Sequence, residues 1–323
     1  MVPGELAGLR SGPQLRWVFG EALLEVCRQD PRIVVLDGDL GSSTGAHEVR
    51  REFPERFFNF GIAEANLVGV AAGLATCGFI PFVVSLTSFL LCNAFDQIRL
   101  SVCISGLNVK FIGSHSGLST GREGPSSMSI EDYALANGLP GMVTLVPSDP
   151  TSMRWAVHAA AAHGGPVFVR SSREHFPYIY PDGHEFALGR ASTVRDGDDV
   201  TLIACGLMVP VALDAAVLLE REGIKARVLD MLSLRPLDEA AIVKAARETG
   251  AIVTAEEHLV RGGLGALVAQ VVAAEFPVPV RAVGMPDTYS VSASPEELRE
   301  KYGLTATCVA AAARQAIAAK SRR

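Results

Sequence analysis

Three short stretches of the sequence carry residue types that could do chemistry. In Asn59-Phe-Gly-Ile-Ala-Glu64-Ala-Asn66-Leu67 a single carboxylate opens a segment otherwise made of small and apolar residues. An acid there is either a helix-start residue favoured by the helix dipole, or a buried group placed to share a proton with a ligand. The second stretch, Gly113-Ser-His115-Ser-Gly-Leu-Ser-Thr-Gly121-Arg-Glu123-Gly-Pro125-Ser-Ser127-Met128, is a Gly- and Ser-rich loop. Loops of this kind at the carboxyl ends of parallel strands are where open α/β sheets gather ligands, which makes His115 and Glu123 candidates; the alternative is an ordinary surface loop. The third, Glu256-Glu257-His258 followed by Arg261-Gly-Gly-Leu-Gly265, has the glycines and helix start of an anion site but lacks the G-x-G-x-x-G spacing of a dinucleotide fingerprint.

Whether these residues meet depends on the elements that carry them. Apolar runs at 32–36, 80–84, 109–112, 142–146 and 166–169 read as buried strands. Helical patterns at 14–27, 63–76, 88–103 and 150–162 alternate with them, as in a mostly parallel sheet covered on both faces. From 171 to 199 the periodicity fails among prolines, tyrosines and turn residues. The alternation then restarts, with strands at 200–204, 225–229, 251–255 and 278–283 and helices at 208–220, 238–248 and 263–274. The expected fold class is α/β in two domains, 1–185 and 186–323, each a mostly parallel sheet flanked by helices.

Composition narrows the function classes. The 323 residues are 49% hydrophobic and 20% charged, enough to build large cores, and a net charge of −6 without a basic run argues against a nucleic-acid surface. No charge falls between Glu64 and Asp96, but Gly78-Phe-Ile-Pro81 interrupts that stretch, so buried core rather than a membrane span is expected. Six scattered cysteines, with no CxxC pair and no His at zinc-ligand spacing, signal neither a disulfide framework nor a metal site. No secretory signal opens the chain, and a reducing cytoplasm is the expected compartment.

Taken in order, seven motifs resemble the pyrimidine-binding and C-terminal domains of transketolase. They are Leu36-Asp-Gly-Asp39-Leu with Ser43, Phe60-Gly-Ile-Ala-Glu64, Ala94-Phe-Asp-Gln-Ile-Arg99, Gly121-Arg-Glu-Gly-Pro125, Pro147-Ser-Asp149, Arg170-Ser-Ser-Arg173 and Glu256-Glu-His258. The resemblance implies transfer of a two-carbon ketol unit between sugar phosphates, with thiamine diphosphate as cofactor. It implies that Glu64 hydrogen-bonds N1′ of the aminopyrimidine and promotes its imino tautomer. Phe89 stands where the family stacks an aromatic ring on that pyrimidine, and Leu86 at another commonly aromatic position. Ser43, His115 and Arg173 match positions that hold a sugar phosphate, work for which the forked donors of arginine suit Arg173. Glu123 stands at a position near substrate hydroxyls that is usually Asp. Ser127 replaces a common His, so the donor end of the pocket departs from the family pattern. The C-terminal domain is mainly structural in the family, and 256–258 receive no catalytic role.

One half of the expected machinery is missing. The Gly-Asp-Gly motif that precedes the metal-binding Asn in transketolases does not occur, and only about 30 residues precede the first predicted strand. The resemblance therefore implies a half-enzyme, active only with an N-terminal transketolase subunit that holds the diphosphate and Mg²⁺, in an α2β2 assembly. The alternatives are the β subunit of a 2-oxoacid dehydrogenase or decarboxylase, and a non-catalytic relative.

Overall fold

The structure, a computed structural model, describes residues 2–320. In chain order the first six strands are β1 (Ile33–Asp37), β2 (Phe57–Asn59), β3 (Ile80–Leu86), β4 (Lys110–Ser114), β5 (Val143–Leu145) and β6 (Val167–Arg170). They are followed by β7 (Ser192–Arg195), β8 (Val200–Ala204), β9 (Ala226–Asp230), β10 (Ser233–Arg235), β11 (Ile252–Leu259) and β12 (Val280–Met285). One sheet runs β10-β5-β6-β4-β3-β1-β2 and the other β12-β11-β8-β9-β7. Only β10 and β7, each at an edge, pair antiparallel.

The first sheet shows why its strands read as unbroken apolar runs. Val35, Phe82 and Ile112 pack into one core with Leu15, Phe19 and Val157, while their neighbours Val34, Val83 and Phe111 pack into another with Leu67, Val68 and Leu90. Alternate side chains serve opposite faces, and helices cover both. Leu15–Gln29 and Pro150–Ala162 lie on the first face; Glu64–Thr76 and Thr87–Asn93 lie on the second. The chain goes from β1 outward to β2 and then returns to place β3 on the other flank of β1. That reversal opens a crevice beyond the carboxyl ends of β1 and β3, the switch point where α/β sheets take ligands.

Several elements differ from the sequence expectation. The helix predicted over 88–103 is broken: Thr87–Asn93 ends at Ala94, whose φ of −114° and ψ of 14° leave the helical region, and Ile98–Cys103 winds as a π-helix. The predicted loop over 171–199 contains β7, a half-exposed edge strand that buried runs do not reveal. Beyond Met285 the structure adds two helices, Pro295–Tyr302 and Ala306–Lys320, past the last strand read from the sequence. The C-terminal half also lends β10 to the first sheet, where Ser233 and Arg235 pair with Leu145 and Thr144. Three residues joined to a distant strand leave no periodic signal. No described helix is long and apolar enough to cross a membrane.

Candidate functional site

The crevice is built from β1 outward. Asp37, buried at the end of β1, accepts hydrogen bonds from the amides of Leu40 (3.2 Å) and Gly41 (3.0 Å), which turns the chain away from the sheet. Gly38 donates to Val84 O on β3 (3.0 Å), and Asn59 Nδ2 donates to Asp39 Oδ1 (2.7 Å), tying β2 to the same turn. The helix Glu64–Thr76 follows this turn, and its first residue is buried against β3. Glu64 is 4% exposed, and Ser85 Oγ on β3 donates to its Oε1 at 3.2 Å. Among the described residues no donor reaches Oε2. Leu86 is buried at the end of β3, and Phe89 is half-buried in the first turn of the following helix, which packs against Glu64–Thr76. A buried acid with one free oxygen, with an aliphatic side chain on the adjoining strand end and an aromatic one on the packed helix, supplies the group types that an aminopyrimidine needs: an acceptor for a ring nitrogen and apolar surface for its faces.

A second group gathers at the carboxyl ends of β1, β4 and β6. Ser43 lies in the short helix Gly41–Thr44, and its Oγ is 3.2 Å from His115 Nε2; Ser114 Oγ is 2.9 Å from Nδ1. His115 has a φ of +57°, a left-handed backbone unusual for a non-glycine residue and held here by both hydroxyls and by Ser116 N–H donating to Ser171 O (3.1 Å). Burial, with Arg16 and Arg173 nearby, pushes His115 down to about 4, so the ring is neutral at ordinary pH. Arg16 escaped the sequence reading. Its Nη1 donates to Ser43 O (2.8 Å) and Ser43 Oγ (3.4 Å), and burial and the charge of Arg173 lower its pKa. A cation in the first turn of a helix that has no acid there opposes the helix dipole, a signal available from the sequence. Arg173, partly exposed, forms an ion pair with Glu123.

The structure thus brings Ser43 and His115 into direct contact and pairs Arg173 with Glu123. Ser127 sits apart, half-buried in the turn Pro125–Ser127, where its carbonyl accepts from Ser88 Oγ (3.2 Å). A groove of about 610 Å³ runs past Thr120, Arg122, Glu123 and Arg173 toward Pro295.

The third sequence stretch has a different part to play. β11 continues through Glu256, Glu257 and His258, all buried. Glu256 accepts from the amides of Leu264 (2.6 Å) and Gly265 (2.8 Å), so the helix N-terminus that resembled an anion site is filled by the chain's own carboxyl, which burial pushes up to about 8. His258 accepts from Ala134 N–H at Nε2 (3.3 Å), which makes Nδ1 the donor to Leu259 O (2.7 Å), and its ring stacks on Tyr133 at 4.4 Å. Arg170, at the end of β6, donates to Asp132 Oδ2 (2.6 Å) and Glu257 O (3.0 Å), and Glu257 Oε1 accepts from Leu118 N–H (3.2 Å). These bonds fasten the His115 loop and the Arg173 segment to the second sheet. No group of three or more His, Cys, Asp or Glu among the described residues is arranged to hold a metal ion.

Comparison with known proteins places the two sheets in a family. Residues 11–178 match the transketolase pyrimidine-binding domain, and residues 189–309 match the transketolase C-terminal domain. The chain is 41% identical over 309 residues, 96% of each protein, to the 6-deoxy-6-sulfo-D-fructose transketolase subunit SqwH of Clostridium sp. (strain MSTE9). It is 40% identical to a subunit of the apulose-4-phosphate transketolase of Phocaeicola vulgatus, covering 88% of this chain and 92% of that one. A solved structure described as a split gene transketolase, inactive beta4 tetramer, superposes with a TM-score of 0.88 at 47% identity, covering 96% of this chain and 99% of that one. Against the longer transketolase-like protein 2 of Mus musculus the chain spans 48% of the relative's length. Thiamine diphosphate is the cofactor that goes with this fold pair. The chain belongs to the transketolase family, of which it carries the pyrimidine-binding and C-terminal domains.

Proposed function

We propose that this chain is the C-terminal subunit of a two-component transketolase, which moves a two-carbon ketol unit between carbonyl compounds with an anionic tail, sugar phosphates first among them. The observation that carries the reading is Glu64, buried at the switch point with Ser85 on one oxygen and the other left open. Thiamine diphosphate, when bound, supplies the carbanion chemistry. Glu64 Oε2 is the atom that would hold a proton against the pyrimidine nitrogen, while Ser85 fixes the carboxylate so that no reorganisation is needed. Phe89 and Leu86 exclude water from the ring face. Ser43, His115, Arg16 and Arg173 seat the anionic tail, with neutral His115 acting as a hydrogen-bond donor or acceptor according to its tautomer. Ser127 stands toward the donor end of the substrate, and Glu123, paired with Arg173, stands near substrate hydroxyls beside the tail.

The diphosphate and Mg²⁺ fall to a partner subunit in this reading, and the assembly is α2β2. Isothermal calorimetry on the isolated chain and on its mixture with the partner tests it. Weak cofactor binding and no ketol transfer are expected alone, with both restored on mixing; tight Mg²⁺-dependent binding with turnover by this chain alone refutes the division of labour.

A further inference from the structure

The tail-binding group holds two arginines and a neutral histidine, and it is not left with its charge bare. Among the described residues, the only carboxylate paired with Arg16, Ser43, His115 or Arg173 is Glu123, on Arg173. Arg173 is 41% exposed and Glu123 48%, and both line the open groove, so the pair is reached from solvent.

The backbone beneath Glu123 is clamped. In the turn Gly121–Glu123, the Gly121 N–H donates to Leu118 O (2.9 Å) and the Glu123 N–H to Thr120 O (3.3 Å). From the second domain, Ser292 Oγ donates to Arg122 O (2.5 Å). Gly121 has a φ of +59°, and a Cβ there would stand 3.0 Å from Pro295 Cδ and 3.1 Å from Ala293 O. The second domain thus holds the turn in place and keeps the carboxylate beside Arg173.

We infer that Glu123 is a built-in counter-ion that competes with the substrate's anionic tail for Arg173, and so sets which anions the site accepts. The inference rests on the reading of this group as the tail site. A tail long enough to reach Arg16 and Ser43 as well as Arg173 offsets the displaced carboxylate. A small free anion gains only Arg173 and meets the repulsion of Glu123. An exposed ion pair of this kind changes affinity by up to about fivefold, and salt screens it.

The test uses the cofactor-loaded two-subunit complex, wild type and Glu123→Gln. The KM for a phosphorylated ketose is measured against that for a non-phosphorylated ketose with the same donor end, and inhibition by inorganic phosphate is measured alongside. In the variant the ratio of the phosphorylated to the non-phosphorylated KM is expected to fall by about two- to fivefold. The inhibition constant for phosphate should fall at least as far, and both effects should shrink at high salt. An unchanged or raised ratio, or an equal fall for both ketoses, overturns the inference. Arg173→Ala separates the tail site from its counter-ion. If that variant keeps the wild-type preference for the phosphorylated ketose, the tail-site reading itself fails; if it loses the preference while Glu123→Gln gains nothing, only the counter-ion role falls.

Discussion

Arg170→Met should unlock the two domains at a cost that can be worked out from the groups left behind. Arg170 is 5% exposed and donates to Asp132 Oδ2, Glu257 O and Ser129 O, with Glu257 Oε2 3.5 Å away. Methionine fills much of the same volume, so the loss is electrostatic: Asp132 and Glu257, 0% and 2% exposed, lose their cation. Removing one member of a buried ion pair costs about 3–5 kcal/mol, because the partner's charge stays buried without compensation. With about 2.1 cal/mol/K of unfolding entropy per residue over 323 residues, the midpoint should drop by about 4–7 °C. The loss has a pH signature. Burial already pushes Glu257 up to about 7 in the presence of Arg170, against an ordinary 4.5. A carboxyl raised in the folded state gives up stability as pH rises from its unfolded value through its folded one, since the unfolded chain releases the proton first. Without Arg170 that window extends further upward, so wild type and variant should diverge above about pH 7, by up to about 1.4 kcal/mol per pH unit for this one group. Scanning calorimetry across neutral and alkaline pH reads both effects. Adding Asp132→Asn and Glu257→Gln to Arg170→Met removes the charges, keeps the acceptor for Leu118 N–H, and should recover most of the loss. A cost below about 1 kcal/mol for Arg170→Met, or no recovery in the triple variant, would show that the buried cation does not hold the domains together.

Two further predictions concern the reaction. Glu64→Gln keeps size and the bond from Ser85 but cannot hold a proton for a ring nitrogen; in the reconstituted complex the rate should fall by at least about 10²-fold with little change in stability, and near-wild-type turnover would return Glu64 to a helix-start role. Arg173→Ala removes a charge-assisted contact, so kcat/KM for a phosphorylated ketose should fall by about ten- to a hundredfold, with a much smaller loss for a non-phosphorylated one; equal losses would point to a folding defect.

The alternation of buried strands and helices is legible in the sequence because a strand covered on both faces is apolar along most of its length, as 33–36 and 80–84 are before Asp37 and Ser85 at their carboxyl ends. Helix starts with local chemistry are equally legible: Asp149, Pro150 and Ser152 form a capping box where the predicted helix begins. Glu64 and the His115 loop stand out because polar groups break apolar or glycine-rich contexts. Which separated residues meet is settled only by folding. That Arg16 reaches Ser43, that Glu123 lies on Arg173, that β10 closes the edge of the other domain's sheet, and that Glu256 fills a helix N-terminus all depend on contacts between segments far apart in the chain. Periodicity reports which face of an element is buried; it carries no record of the element packed against that face, and a short or half-exposed strand such as β7 or β10 makes too few local contacts to impose a pattern of its own.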